Sequence, residues 1–222
     1  TTETQTFPIQ VVGAGGTGVL TNISEIVTGS EFTCALKSDG TVWCWGYNAS
    51  GQLGDNTTTS KKIPIQVTDI GGTGFLANVS SISSSNYTVC ALKNDNTAWC
   101  WGSNYYRQLG NNTTPNSSLS PVQVLNQDGT SYMSDIAQIA VGGNHSCLIK
   151  TDNTMWCWGY GRYGQLGIGT TENKYLPVQV LDSGNSNSFT DVSQISLSDL
   201  FTCAIKTDGT MWCWGYNDDG QA

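Results

Sequence analysis

The chain has 222 residues, 12% of them charged, with 9 Lys and Arg against 17 Asp and Glu and a formal net charge of -8. Such a surface repels phosphate and holds no Lys/Arg cluster, which excludes nucleic acid as the expected partner. No apolar run reaches the about 18 residues needed to span a membrane.

The sequence opens at Thr1 without a methionine, as expected of a piece processed from a longer exported precursor. Pro8-Ile9-Gln10-Val11 follows, and the Pro-x-Gln-Val pattern returns at Pro64, Pro121 and Pro177, every 56 or 57 residues. That period marks one repeat domain of four units, 7–62, 63–118, 119–174 and 175–222. Residues 1–6 are expected to complete the last unit or a neighbouring chain. Proline lacks the N–H that a ladder requires, so each of these strands is expected to begin or edge a sheet.

Next comes Val11-Val12-Gly13-Ala14-Gly15-Gly16-Thr17-Gly18, which matches the GxGxxG of dinucleotide-binding folds. That fingerprint requires a helix opening at the last glycine. Here a short strand is predicted instead, Ile23 to Val27, and the equivalent stretches read Gly71-Gly72-Thr73-Gly74 and Asp128-Gly129-Thr130. It is a repeat loop, and no cofactor is expected. Further short strands are predicted at Val79 to Ser83, Ile136 to Ala140 and Val192 to Ser196.

The last two strands of each unit carry Cys34/Cys44, Cys90/Cys100, Cys147/Cys157 and Cys203/Cys213. The second cysteine always lies in Trp-Cys-Trp-Gly. Between the strands sit Ser38-Asp39-Gly40, Asn94-Asp95-Asn96, Thr151-Asp152-Asn153 and Thr207-Asp208-Gly209. Gly or Asn in third place suits a type I turn closed by a left-handed residue. A three-residue loop pairs Lys37 with Thr41 and sets Cys34 opposite Cys44, at a non-hydrogen-bonded position where strands come closest. A cross-strand disulfide fits there, and paired cysteines in even number point to an oxidising compartment, secreted or at the cell surface. Free core thiols and metal thiolates are the competing readings. Zinc sites, however, favour tighter cysteine spacing, and His145 is the single histidine.

One face of the first hairpin carries Cys34, Leu36, Val42 and Cys44, the other Ala35, Trp43 and Trp45. Both are apolar, so each small sheet requires a neighbour on either side. Radially stacked blades supply one; a two-layer sandwich leaves one face wet. The fold class expected is all-β, a β-propeller-like array of four blades of about 56 residues, each a four-stranded antiparallel sheet.

The run Thr33-Cys34-Ala35-Leu36-Lys37-Ser38-Asp39-Gly40-Thr41-Val42-Trp43-Cys44-Trp45-Gly46-Tyr47-Asn48, followed by Gly51-Gln52-Leu53-Gly54, resembles the regulator-of-chromosome-condensation repeat family. The resemblance covers the whole chain. Departures are Arg107-Gln108-Leu109-Gly110 in the second unit, Gly161 in place of Asn48 in the third, and Gly220-Gln221-Ala222 in the fourth. Where the family usually has a histidine, only His145 matches, which implies a packing role for it; Phe32 and Phe201 stand there in the first and fourth units. The resemblance also implies a ring of about seven blades. Four units then mean a part of a larger propeller, a four-blade ring closed by its own N-terminal strand, or an assembly completed by a neighbouring chain.

No catalytic or metal constellation emerges. Asp39, Asp95, Asp152 and Asp208 occupy turns, where carboxylates cap the backbone. Calcium in the Asn/Asp loops lacks an EF-hand spacing. Candidate glycosylation acceptors are Asn22, Asn48, Asn56, Asn78, Asn86, Asn111, Asn112, Asn116 and Asn144, each in Asn-x-Ser/Thr. The function expected is a non-enzymatic extracellular binding or structural and adhesion module that self-assembles by strand exchange. The alternatives are a soluble regulator or inhibitor docking on a protein, as the resemblance implies, and a lectin-like propeller that binds glycans. The ligand, protein or glycan, is unnamed by the sequence.

Overall fold

In a computed structural model, which describes residues 4–114, 116–184 and 186–222, the chain forms four small antiparallel sheets. The first three residues of the 1–6 segment lie outside the described residues. Blade 1 holds β1 (Ile23–Thr28), β2 (Phe32–Lys37), β3 (Val42–Gly46) and β4 (Lys61–Gln66) in that spatial order. Blade 2 repeats it with β5 (Val79–Ser85), β6 (Thr88–Lys93), β7 (Ala98–Ser103) and β8 (Ser117–Gln123). Blade 3 has β9 (Ile136–Val141), β10 (His145–Lys150), β11 (Met155–Gly159) and β12 (Lys174–Gln179), and blade 4 has β13 (Val192–Leu197), β14 (Phe201–Lys206) and β15 (Met211–Gly215).

The blade is cut out of phase with the sequence unit. The Pro-x-Gln strands β4, β8 and β12 pair with β3, β7 and β11, so each closes the blade before it rather than opening the next. Blade 4 has three strands where four were expected. Among the described residues the segment Phe7–Val11 forms no strand on it. The glycine-rich loop behaves as a repeat element, with Val12 bridging Val19 as Thr68 bridges Phe75, Leu125 Tyr132 and Leu181 Ser188.

The turn chemistry sets the hairpin register as expected. Lys37 N–H donates to the Thr41 carbonyl and Gly40 N–H to the Lys37 carbonyl, both at 2.9 Å. The third loop residue is left-handed in every unit, with φ of 78° at Gly40, 60° at Asn96, 62° at Asn153 and 84° at Gly209. Counting outward, Cys34 falls opposite Cys44, and the pattern repeats in each blade. All four pairs are disulfide-bonded with Cα atoms 4.1 Å apart, and there are no free cysteines.

The disulfide face of each blade packs on the tryptophan face of the next. Cys34, Leu36, Val42 and Cys44 share a core with Ala91 and Trp101 of blade 2. Leu92, Ala98 and Cys100 share one with Leu148 and Trp158, and Cys147, Met155 and Cys157 one with Ala204 and Trp214. A directional bond fixes each junction: Trp101, Trp158 and Trp214 Nε1 donate to the backbone carbonyls of Gln52, Gln108 and Gln165 at 3.0, 2.8 and 3.0 Å. These acceptors belong to the Gly-Gln-Leu-Gly motif or its variants in the preceding blade. The tryptophans expected to pack between blades therefore also lock their register.

Candidate functional site

Each third strand carries Trp-Gly at or one residue before its end, and that glycine cannot be replaced without a clash. Gly46, Gly102, Gly159 and Gly215 have φ of 114°, 93°, 101° and 120°. A Cβ on Gly46 would lie 2.5 Å from the Glu31 carbonyl oxygen. The bend throws the next residue onto the end of the blade beside the turn between its first two strands. Tyr47 N–H donates to Glu31 O, Tyr160 N–H to Asn144 O and Tyr216 N–H to Leu200 O, at 2.9, 2.9 and 3.0 Å.

This geometry gathers tyrosines into a ribbon across the blades. Tyr47 meets Tyr87 with ring centroids 5.9 Å apart, bridging blades 1 and 2. Tyr106 meets Tyr160 at 4.7 Å between blades 2 and 3, and Tyr163 meets Tyr216 at 5.3 Å between blades 3 and 4. Tyr105–Tyr106 and Tyr160–Tyr163 contacts at 5.2 and 6.1 Å make the second stretch continuous. Tyr105 is 63% exposed, Tyr163 45% and Tyr47 39%. Tilted and edge-on ring pairs of this kind are favourable beyond their burial. The Tyr216 hydroxyl donates to Asp218 at 2.8 Å, and that hydrogen bond raises the phenol above its ordinary value. Rigid, half-exposed rings with polar tips suit protein recognition.

The opposite end carries the hairpin turns and is built for self-support. Asp39 accepts from the Thr41 N–H and hydroxyl at 3.1 and 2.6 Å, and the Thr41 hydroxyl in turn accepts from Trp43 Nε1 at 3.1 Å. The same relay links Asp152, Thr154 and Trp156, and Asp208, Thr210 and Trp212. Threonine donors thus hold Asp39, Asp95, Asp152 and Asp208 below the ordinary carboxylate value. The inner strands enclose a groove of about 430 Å³ lined by Glu25, Ser81, Ser83, Gln138 and Ser196 among others. Burial raises the Glu25 carboxyl, against a hydrogen bond from the Ile82 N–H at 3.0 Å. Among the described residues no three His, Cys, Asp or Glu converge as a metal site.

His145 is fully buried between blades 3 and 4, its Nε2 2.8 Å from the Thr202 hydroxyl. That hydroxyl donates onward to Gln165 O at 2.9 Å, so Nε2 carries the proton. Burial lowers the imidazole pKa to about 4. A neutral, enclosed ring with one hydroxyl neighbour is a packing group.

The sequons separate by exposure. Asn22, Asn56, Asn78, Asn112 and Asn116 are exposed, and Asn86, Asn111 and Asn144 are half-buried. Asn48 is different: it is fully buried, and its Nδ2 donates to Asp55 Oδ1, Thr57 O and Thr59 O at 3.0, 3.0 and 3.2 Å. Its amide organises the loop after β3, which closes that sequon in the folded chain. The tyrosine ribbon was missed in the sequence because its members drift in position. Trp-Gly-Tyr in three units, at Tyr47, Tyr160 and Tyr216, was the available signal.

Comparison with known proteins agrees with this architecture. The RCC1-like domain matches residues 1–222, and the chain belongs to that family of β-propeller scaffolds. It is 28% identical over 199 residues to the ultraviolet-B receptor UVR8 of Arabidopsis thaliana, covering 90% of this chain and 42% of the receptor. It is 31% identical over 212 residues to the human probable E3 ubiquitin-protein ligase HERC6, covering 90% of this chain and 19% of that protein. Among solved structures it superposes on human WBSCR16 with a TM-score of 0.73 at 21% identity, covering 88% of this chain and 48% of that one. Yeast RCC1 (Prp20), solved bound to Kap60, gives 0.70 at 21% identity, covering 88% and 44%. The chain thus spans less than half the length of each of these relatives.

Proposed function

We propose that this chain is a non-enzymatic protein-binding module that works outside the cell and docks its partner on the tyrosine-lined end. The tyrosine ribbon is the observation that carries the reading, because it presents exposed or half-exposed aromatic rings across all four blades. The aspartate end spends its polar groups on its own turns. Four disulfides support an extracellular setting, since a reducing cytosol would not maintain them. The exposed Asn22, Asn56, Asn78, Asn112 and Asn116 are the acceptors proposed for glycosylation.

The test is cross-linked capture from the extracellular fraction of the source organism. A protein should be captured by the wild-type chain and reduced at least about tenfold by Tyr105→Ser/Tyr163→Ser, whose rings are exposed enough to leave folding intact. Capture unchanged by that double substitution removes the reading, and binding confined to a glycan array replaces it with the lectin-like one. Eight free thiols in native material would exclude the extracellular setting.

A further inference from the structure

The loop that leads into blade 2 places a glycosylation acceptor beside an exposed aromatic ring. Phe75-Leu76-Ala77-Asn78-Val79-Ser80 sets the aromatic residue three positions before the Asn of a sequon. The other exposed acceptors lack one there: Asn22 has Val19, Asn56 Leu53, Asn112 Leu109 and Asn116 Thr113. Phe75 is 61% exposed, as is Ile70. The backbone holds the ring in place, since Phe75 bridges Thr68 across the loop and Leu76 N–H donates to the Val67 carbonyl at 3.0 Å. Leu76 turns into the core while Phe75, Ala77 and Asn78 stay exposed.

Phe75 and Asn78 line one cavity of about 190 Å³ together with Asp69, Ile70, Lys93 and Trp99. Its apolar wall suits the C–H face of a single sugar ring, and Asp69 and Lys93 offer an acceptor and a donor for the hydroxyls. Among the described residues the Asn78 side-chain amide has no hydrogen-bond partner, unlike the amide of Asn48. Backbone conformation alone does not call for that amide. Asn78 is left-handed with φ of 59°, and Asp135 and Asp191 hold the equivalent positions in blades 3 and 4 at 59° and 62°. The site lies at the hairpin-turn end, where Asn94 N–H donates to Asn78 O at 2.8 Å, away from the tyrosine ribbon.

Resting on the reading of Asn78 as an acceptor, we propose that an Asn78-linked glycan folds back over this cavity, its first sugar stacked on Phe75. The glycan covers the apolar patch at the hairpin-turn end and leaves the tyrosine end bare for a partner. In the transfer, Asn78 Nδ2 attacks C1 of the first sugar of a lipid diphosphate-linked oligosaccharide. The N–C1 bond forms, the C1–O bond breaks with its electron pair going to the lipid diphosphate, and one amide proton is lost. In the folded chain the Ser80 hydroxyl of the sequon donates to the Leu92 carbonyl at 3.0 Å, so transfer belongs before the β5–β6 hairpin closes.

A double-mutant cycle on the full chain secreted by a glycosylating eukaryotic host tests it. Peptide mapping should find a glycan at Asn78. Asn78→Asp, which installs the residue type of positions 135 and 191, removes that glycan alone, and Phe75→Ser removes the ring. In urea, Asn78→Asp should raise the unfolding equilibrium constant at least about fivefold with Phe75 present and less than about twofold beside Phe75→Ser. The same cycle on chain made in a bacterial periplasm without such sugars should show no coupling. Equal costs in both backgrounds of the secreted chain, or coupling that persists without sugar, overturn the stacking and leave Asn78 an acceptor. A bare Asn78 in the secreted chain overturns the stacking and the acceptor reading together.

Discussion

Blades 2 and 4 are built from related sequences on the same repeat pattern and end in different states. Trp99 is 8% exposed and its counterpart Trp212 41%; Ala98 is fully buried and Met211 68% exposed. Hairpin register, turn bonds and disulfide position are the same in both. The hairpin is therefore set locally, by turn chemistry and the cystine. Its burial comes from the blades on either side, as in other stacked repeats.

Reduction gives the largest separation between the two. Six of the eight cysteines are fully buried, whereas Cys203 and Cys213 are partly exposed. Alkylation under increasing thiol should trap Cys203 and Cys213 first, and equal labelling of all four pairs would erase the contrast. Each bond closes a loop with a sequence separation of 10. Together they contribute on the order of 10 kcal/mol in the chain-entropy model, so complete reduction should abolish cooperative unfolding.

Acid comes next, acting on the junction between blades 3 and 4. Phe32, Thr88, His145 and Phe201 occupy one repeat position, each opposite the Gly of Trp-Gly. His145 alone there titrates, with its pKa lowered to about 4 by burial. The unfolded chain takes up this proton near pH 6.5 and the folded chain does not. Stability is therefore lost as pH falls from about 6.5 to about 4, by up to about 3 kcal/mol. Replacing the ring by the phenylalanine of the other blades, His145→Phe, should flatten the pH dependence of the melting temperature across that window.

The tryptophan–glutamine bonds give a smaller effect. Trp158→Phe removes a buried donor from the Gln108 carbonyl and should cost about 1 to 2 kcal/mol in urea unfolding. Trp45→Phe has no such bond to lose and should stay within about 0.5 kcal/mol. Least of all, Met211→Ser on the open face should change dilute-solution stability by less than about 0.5 kcal/mol.

Local features were legible in the sequence and relational ones less so. Three-residue loops ending in Gly or Asn dictated the Cys34–Cys44 register, because backbone conformation and pairing are decided within ten residues. The phase of the blade was hidden, since a period says how often a pattern recurs and not which strand it joins. Pro64 opened a sequence unit and yet closes a blade. Asn48 read as an acceptor for sugar because a sequon carries no information on burial. The tyrosine ribbon escaped because Tyr87, the Tyr106/Tyr163 pair and the Tyr47/Tyr160/Tyr216 set sit at three different repeat positions and meet only when neighbouring blades are stacked.

The tryptophan-to-glutamine bond also bears on how such a chain can change length. It always runs from one unit to the one before, between the same two positions, and no junction has a partner of its own. A duplication or loss of one whole period would restore every junction unchanged, so unequal exchange between units of the same pattern could alter blade number in a single event. A shift of a few residues would break several bonds at once. Lineages carrying this chain should therefore vary in whole units.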